Sequence, residues 1–169
     1  MIKDRFCEAL NKQINAEMFS SYLYLSMAAW FESKSLSGFA HWMRMQSEEE
    51  MVHAMKMFDY VNERGARVIL KPIEQPESEW DSPLAVVEAV LEHEELVTEL
   101  INDLVDIAME VRDHAGTYFL QWYVEEQVEE EATVGSLLDR MKMIADDSAG
   151  MFALDMELAK RTFTPPVSE

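Results

Sequence analysis

Residues 39–60 read FAHWMRMQSEEEMVHAMKMFDY. Taken at alternating steps of three and four, the stretch gives Phe39, Trp42, Gln46, Glu50, His53, Met57 and Tyr60. That is the stripe, of about 3.5-residue period, by which a helix docks into a bundle. It is apolar at both ends and polar in the middle. Carboxylates are almost never fully buried unless they are paired or bound to metal, so Glu50 and His53 on an inward seam need an explanation.

Three other stretches repeat the pattern. Residues 6 to 31 give Phe6, Leu10, Gln13, Glu17, Ser20, Tyr24, Met27 and Phe31; residues 84 to 108 give Leu84, Val87, Leu91, Glu94, Thr98, Ile101, Val105 and Ala108. Residues 116 to 144 give Gly116, Leu120, Tyr123, Gln127, Glu130, Val134, Leu137, Met141 and Ile144. The expected fold is all-α, one domain over 1–169, with helices near 3–33, 36–64, 83–111, 115–145 and 148–161. Ser35 or Ser37 is expected to cap the second helix, and Gly65 to stop it. Ser82 with Pro83 starts the third, and Asp146-Asp147-Ser148 with Gly150 separates the fourth from the fifth. Thr164-Pro165-Pro166 ends the fifth helix, and the tail beyond is expected to be mobile.

Short connections near 33–37 and 111–115 predict two antiparallel hairpins. The segment 65–82, with Pro72 and Pro76, joins them. About 17 extended residues reach roughly 56 Å, and a helix of about 28 residues is roughly 42 Å long. The crossover can therefore run the length of the molecule, which predicts a four-helix bundle with one long crossover and a short fifth helix. Folding the first hairpin about residue 34 puts Glu17 17 positions before the turn and Glu50 and His53 16 and 19 after it. Folding the second about residue 113 puts Glu94 19 before, and Gln127 and Glu130 14 and 17 after. All of these side chains then fall within about one helical turn of a common level.

Composition agrees. The net charge of −19, from 33 acidic and 14 basic residues, opposes binding to nucleic acid or anionic membranes and favours cations. A hydrophobic content of 49% argues for a packed core rather than disorder. The single cysteine, Cys7, allows no intrachain disulfide and fits a reducing cytosol. The opening residues do not lead into a signal-peptide core, and no run of about 18 apolar residues exists to span a membrane. The thirteen methionines read as adaptable core filling.

Four convergent carboxylates at neutral pH would repel one another and lose solvation. Two divalent cations would neutralise them, and oxygen ligands with one imidazole suit iron, manganese or zinc. A Glu from each of two helices beside a Glu-x-x-His points to a di-iron carboxylate protein.

The chain resembles the bacterial non-haem ferritins along essentially its whole length. The resemblance rests on Glu17 with Tyr24, Glu48-Glu49-Glu50-Met51-Val52-His53, Glu94, and Phe119-Leu120-Gln121-Trp122-Tyr123 followed by Glu126-Gln127-Val128-Glu129-Glu130. It implies iron storage in a cytoplasmic cage of 24 identical subunits. Each subunit would hold a ferroxidase centre that oxidises Fe(II) with O2 or H2O2. It implies a first iron on Glu17, Glu50 and His53, with Glu50 bridging, and a second on Glu94 and Glu130 with Gln127 beside it. A third site would use Glu49, Glu126, Glu129 and Glu130. The resemblance further implies that Tyr24, assisted by Trp122, would supply an electron. The haem-binding relatives carry a second Glu-x-x-His where this chain has Gln127-x-x-Glu130, so no haem is expected, Met51 notwithstanding. Glu131 reads as part of a solvated face, and His41, His93 and His114 as surface or packing residues.

Four other readings compete. A non-catalytic metal-binding shell would show no rapid oxidation. A rubrerythrin-type reductase would need four cysteines, an oxygenase a substrate pocket, and a DNA-protecting mini-ferritin would place iron between subunits; the sequence favours none of these.

Overall fold

The structure is a computed structural model, and it describes residues 2–145 and 147–164. Five helices follow in order: α1 Asp4–Ser33, α2 Ser37–Glu63, α3 Pro83–Glu110, α4 His114–Ile144 and α5 Ser148–Leu158. Among the described residues there is no strand, and no helix is long and apolar enough to cross a membrane.

Two apolar clusters fix the direction of each helix. One gathers the C-terminal half of α1 (Tyr24, Met27, Phe31) and the start of α2 (Phe39, Met43). The start of α3 (Val86, Val90), the end of α4 (Val134, Met141) and Leu154 of α5 complete it. The other gathers Phe6 and Leu10 of α1, Met57 and Val61 of α2, Ile101 and Leu104 of α3, and Leu120 and Tyr123 of α4. Hence α1 and α4 run one way and α2 and α3 the other, which requires the long crossover. That segment climbs α1 on a ladder of side chains. The Ile69 N–H donates to Asn11 (2.6 Å), Lys71 N–H to Asn15 (3.2 Å), and Ser26 Oγ donates to the Glu77 carbonyl (2.6 Å). Trp80 then meets Trp30 edge to face at 6.2 Å.

Helix punctuation is borne out in most places. Ser82 accepts from Ala85 N–H at 3.1 Å with Pro83 in the first turn, Gly65 has φ +74°, and Asp147 caps α5. The start of α2 differs from expectation. Leu36 occupies the cap position without a side-chain bond, Ser37 is already helical, and Ser35 sits at φ 59° in the turn. The orphan donors there are met from afar: Asp155 of α5 accepts from the N–H groups of Gly38 (2.8 Å) and Phe39 (3.0 Å). Gly150 lies inside α5, and the α4 terminus is made by Ala145 at φ 48°. The helix α5 stops at Leu158 rather than near 161. Asp146 and the tail from Pro165 lie outside the described residues.

The seams of α1, α2 and α4 are buried as expected apart from half-buried Tyr60 and Ile144. In α3 the buried positions alternate as Val87, Val90, Glu94, Val97, Ile101, Leu104 and Ala108. Leu91, Thr98 and Val105 are only half-buried. Adjacent residues lie about 100° apart on a helix, and both flanks of α3 are apolar, so docking between α1 and α4 selects the face.

Candidate metal centre

Between the two apolar clusters lies a polar layer. α1 contributes Gln13, Glu17 and Ser20, and α2 contributes Gln46, Glu50 and His53; Glu94 comes from α3, and Gln127 and Glu130 from α4, all buried. The three-residue spacing of Glu50 and His53 puts both on one face of α2. Glu17, Glu50 and His53 each bring a ligand atom within 4.8 Å of the others. Glu17 Oε1 accepts from Gln13 Nε2 at 2.9 Å, but Glu17 Oε2 and both oxygens of Glu50 have no hydrogen-bond partner among the described residues. His53 Nδ1 lies 3.5 Å from Glu50 Oε2. Three buried acceptor atoms left without donors would be a serious defect in an ordinary core. A cation among them satisfies all three. Burial, then the charge of Glu50, pushes the Glu17 carboxyl well above its usual range; burial, then Glu94, does the same to Glu50.

Glu94 and Glu130 approach from α3 and α4 and are held by neutral donors. Tyr24 donates its hydroxyl to Glu94 Oε1, and Gln127 Nε2 donates to Glu94 Oε2 and to its carbonyl, both at 3.2 Å. Gln46 Nε2 donates to Glu130 Oε2 at 2.9 Å. Burial and the charge of Glu130 raise Glu94 to about 7 despite the Tyr24 and Gln127 bonds. Burial and the facing Glu94 raise the Tyr24 hydroxyl in turn.

Glu49, His53 and Glu126 form a second group whose ligand atoms also lie within 4.8 Å of one another, so His53 belongs to both. The group opens on a cavity of about 190 Å³ lined also by Val52, Trp122, Phe163 and Thr164. Burial, then Glu130, raises Glu49 to about 7, and burial raises Glu126. The Trp122 ring stands edge-on to His53 at 5.2 Å, with Lys56 over its face at 4.5 Å. Glu129 is exposed and does not join the group. Glu131 is half-buried and accepts from Thr98 Oγ1 at 2.5 Å rather than facing only solvent, because the α3–α4 contact brings Thr98 over it.

Sequence reasoning passed over several residues that orient these groups. Gln13 and Gln46 stand one turn before Glu17 and Glu50 on the same seams, so the signal was present as polar positions in an apolar stripe. His93 bonds Ser20 through Nε2 at 2.8 Å, lies edge-on to Tyr24 at 5.8 Å, and is lowered by burial to about 4. Arg161, beyond α5, had no sequence signal. Its guanidinium bonds Gln46 Oε1 and Glu49 Oε2, the latter at 2.7 Å.

A four-helix bundle with a long crossover and carboxylates converging at mid-height defines the ferritin-like class, and the family model for the ferritin-like domain matches residues 7–144. The chain belongs to this family, whose members store iron. A bacterial non-haem ferritin of Bacteroides fragilis is 47% identical over 161 residues, covering 95% of this chain and all of that one. One from Staphylococcus saprophyticus is 37% identical, covering 96% and 98%. Among solved structures, the open-pore ferritin of the hyperthermophilic archaeon Archaeoglobus fulgidus is 54% identical with a TM-score of 0.95, over 96% of this chain and all of that one. A closed form of that ferritin, engineered by mutagenesis, is 55% identical with a TM-score of 0.96.

Proposed function

We propose that this chain is a ferroxidase subunit of a cytoplasmic iron-storage cage. The observation that carries the reading is the set of donorless buried oxygens on Glu17 and Glu50 beside His53. A first Fe(II) binds there. A second binds between Glu50, Glu94 and Glu130, with Gln127 beside it. Two Fe(II) each lose one electron, and O2 or H2O2 accepts the pair. Tyr24, whose hydroxyl bonds Glu94, and Trp122, against His53, would on this reading pass an electron during oxygen reduction. Glu49 and Glu126, sharing His53, form a third iron site on the way out, without Glu129. Ferric iron then leaves for the interior of a shell of identical subunits, 24 in number as the resemblance to bacterial ferritins suggests. The net charge of −19 draws iron inward. One ferritin-like unit spans the chain, and the centre takes iron rather than haem.

The test is anaerobic loading with Fe(II) followed by oxygen, with mass in solution measured on the same sample. Rapid oxidation of about two irons per subunit is expected for the native chain, and its loss in Glu50→Ala with assembly intact. Fast oxidation retained in Glu50→Ala refutes the assignment. A shell that binds Fe(II) without oxidising it supports the non-catalytic reading instead.

A further inference from the structure

We infer that Arg161 is a built-in competing cation that weakens metal retention at the Glu49–His53–Glu126 group. The inference rests on the reading of that group as an iron site. The segment after α5 is anchored by Asp155, whose carboxylate receives the N–H groups of Gly38 and Phe39. Six residues on, Arg161 lies across α2. Its guanidinium forks between Gln46 and Glu49, stacks over the Trp42 ring at 5.0 Å, and its carbonyl meets His41 Nε2 at 2.8 Å. Three contacts of the side chain and one of the backbone carbonyl make this a built position rather than a loose surface ion pair. The guanidinium sits on the carboxylate that a metal at this group would use. It also ties that carboxylate to Gln46, which holds Glu130 at 2.9 Å.

The consequence is directional. A divalent ion at the second group must share Glu49 with a fixed positive charge or displace it, whereas among the described residues the group formed by Glu17, Glu50 and His53 has no such competitor in its hydrogen bonds. Iron is therefore held tightly at the oxidising centre and loosely at the outer group, which favours onward movement to the mineral. Charge-assisted bonds of this kind are worth enough that removing one competitor should tighten metal binding on the order of tenfold.

The test is Zn(II) titration calorimetry on the assembled, chelator-stripped protein at fixed ionic strength. R161M keeps an apolar stem on Trp42 and removes the charge. We expect the weaker class of zinc sites to tighten about tenfold in R161M, with the tight class unchanged. The gain should vanish when R161M is compared on an E49Q background. An unchanged or weakened outer class overturns the inference, as does a gain that survives E49Q. If R161M does not assemble, R161Q carries the same comparison. Absence of any tight class in the native protein would instead sink the metal-centre reading itself, so the two failures are distinguishable.

Discussion

Glu50→Met should make the metal-free protein more stable. Glu50 is 1% exposed, and neither of its oxygens has a donor among the described residues. Leaving a buried polar group unsatisfied costs roughly 1–3 kcal/mol, and Met matches the volume with about 1 kcal/mol of repacking strain. Counting both oxygens, the expected gain is about 1–5 kcal/mol, or a rise in Tm of about 2–20 °C for a chain of this size. The pH dependence carries a definite sign. Glu17 and Glu50 are raised well above their usual range in the folded chain, and Glu94 to about 7. For a carboxyl with a raised folded pKa, the stabilising contribution is complete below the unfolded value near 4.5 and is lost as pH rises towards the folded value. The native metal-free protein should therefore weaken between about pH 4.5 and 7, and Glu50→Met should weaken less. Zn(II) at a hundredfold excess over its Kd should add about 2.7 kcal/mol to the native protein and much less to the variant. Guanidinium unfolding by circular dichroism, at fixed subunit concentration with and without chelator, reads all three effects. A metal-free variant no more stable than the native protein at pH 7, or equal stabilisation of both by zinc, refutes the reasoning.

Two further perturbations probe the frame around the site. Asp113 caps α4 through Gly116 N–H at 2.9 Å and receives the Arg64 fork at 2.9 and 3.1 Å; Asp113→Ala should cost about 2–4 kcal/mol in denaturant unfolding. Burial alone would raise Asp113, but Arg64 and Gly116 outweigh it and hold the carboxyl low, so the stabilisation is present above the unfolded value near 3.8 and the gap to Asp113→Ala should close as pH falls below it. At Gly38, a Cβ would lie 1.7 Å from the Asp155 carbonyl oxygen; Gly38→Ala should push α5 off α2, seen as hydrogen exchange accelerated at least about tenfold across 148–164. Unchanged protection there would show that α5 is held by other contacts.

Glu17, Glu50, His53, Glu94, Gln127 and Glu130 were legible because each interrupts an apolar stripe, and a buried charge has few explanations. Gln13 and Gln46 lie in the same stripes, but an amide in a core is less costly than a carboxylate, so their burial alone does not require a metal. The α3 face was misjudged at Leu91, Thr98 and Val105 because apolar residues flank that seam on both sides. Glu131 was expected in solvent because its neighbours are acidic; its Thr98 partner comes from another helix.

Periodicity, breaker placement and chain length were sufficient to determine a bundle with one long crossover and a polar layer at mid-height, because these depend on local spacing and on reach. Which oxygens are left without donors, that His53 serves two groups, and that Asp155 and Arg161 return from the C-terminal segment to α2 were decided only by tertiary packing. The Asp155 and Arg161 contacts join residues more than a hundred positions apart, and nothing in the local pattern of either partner specifies the other.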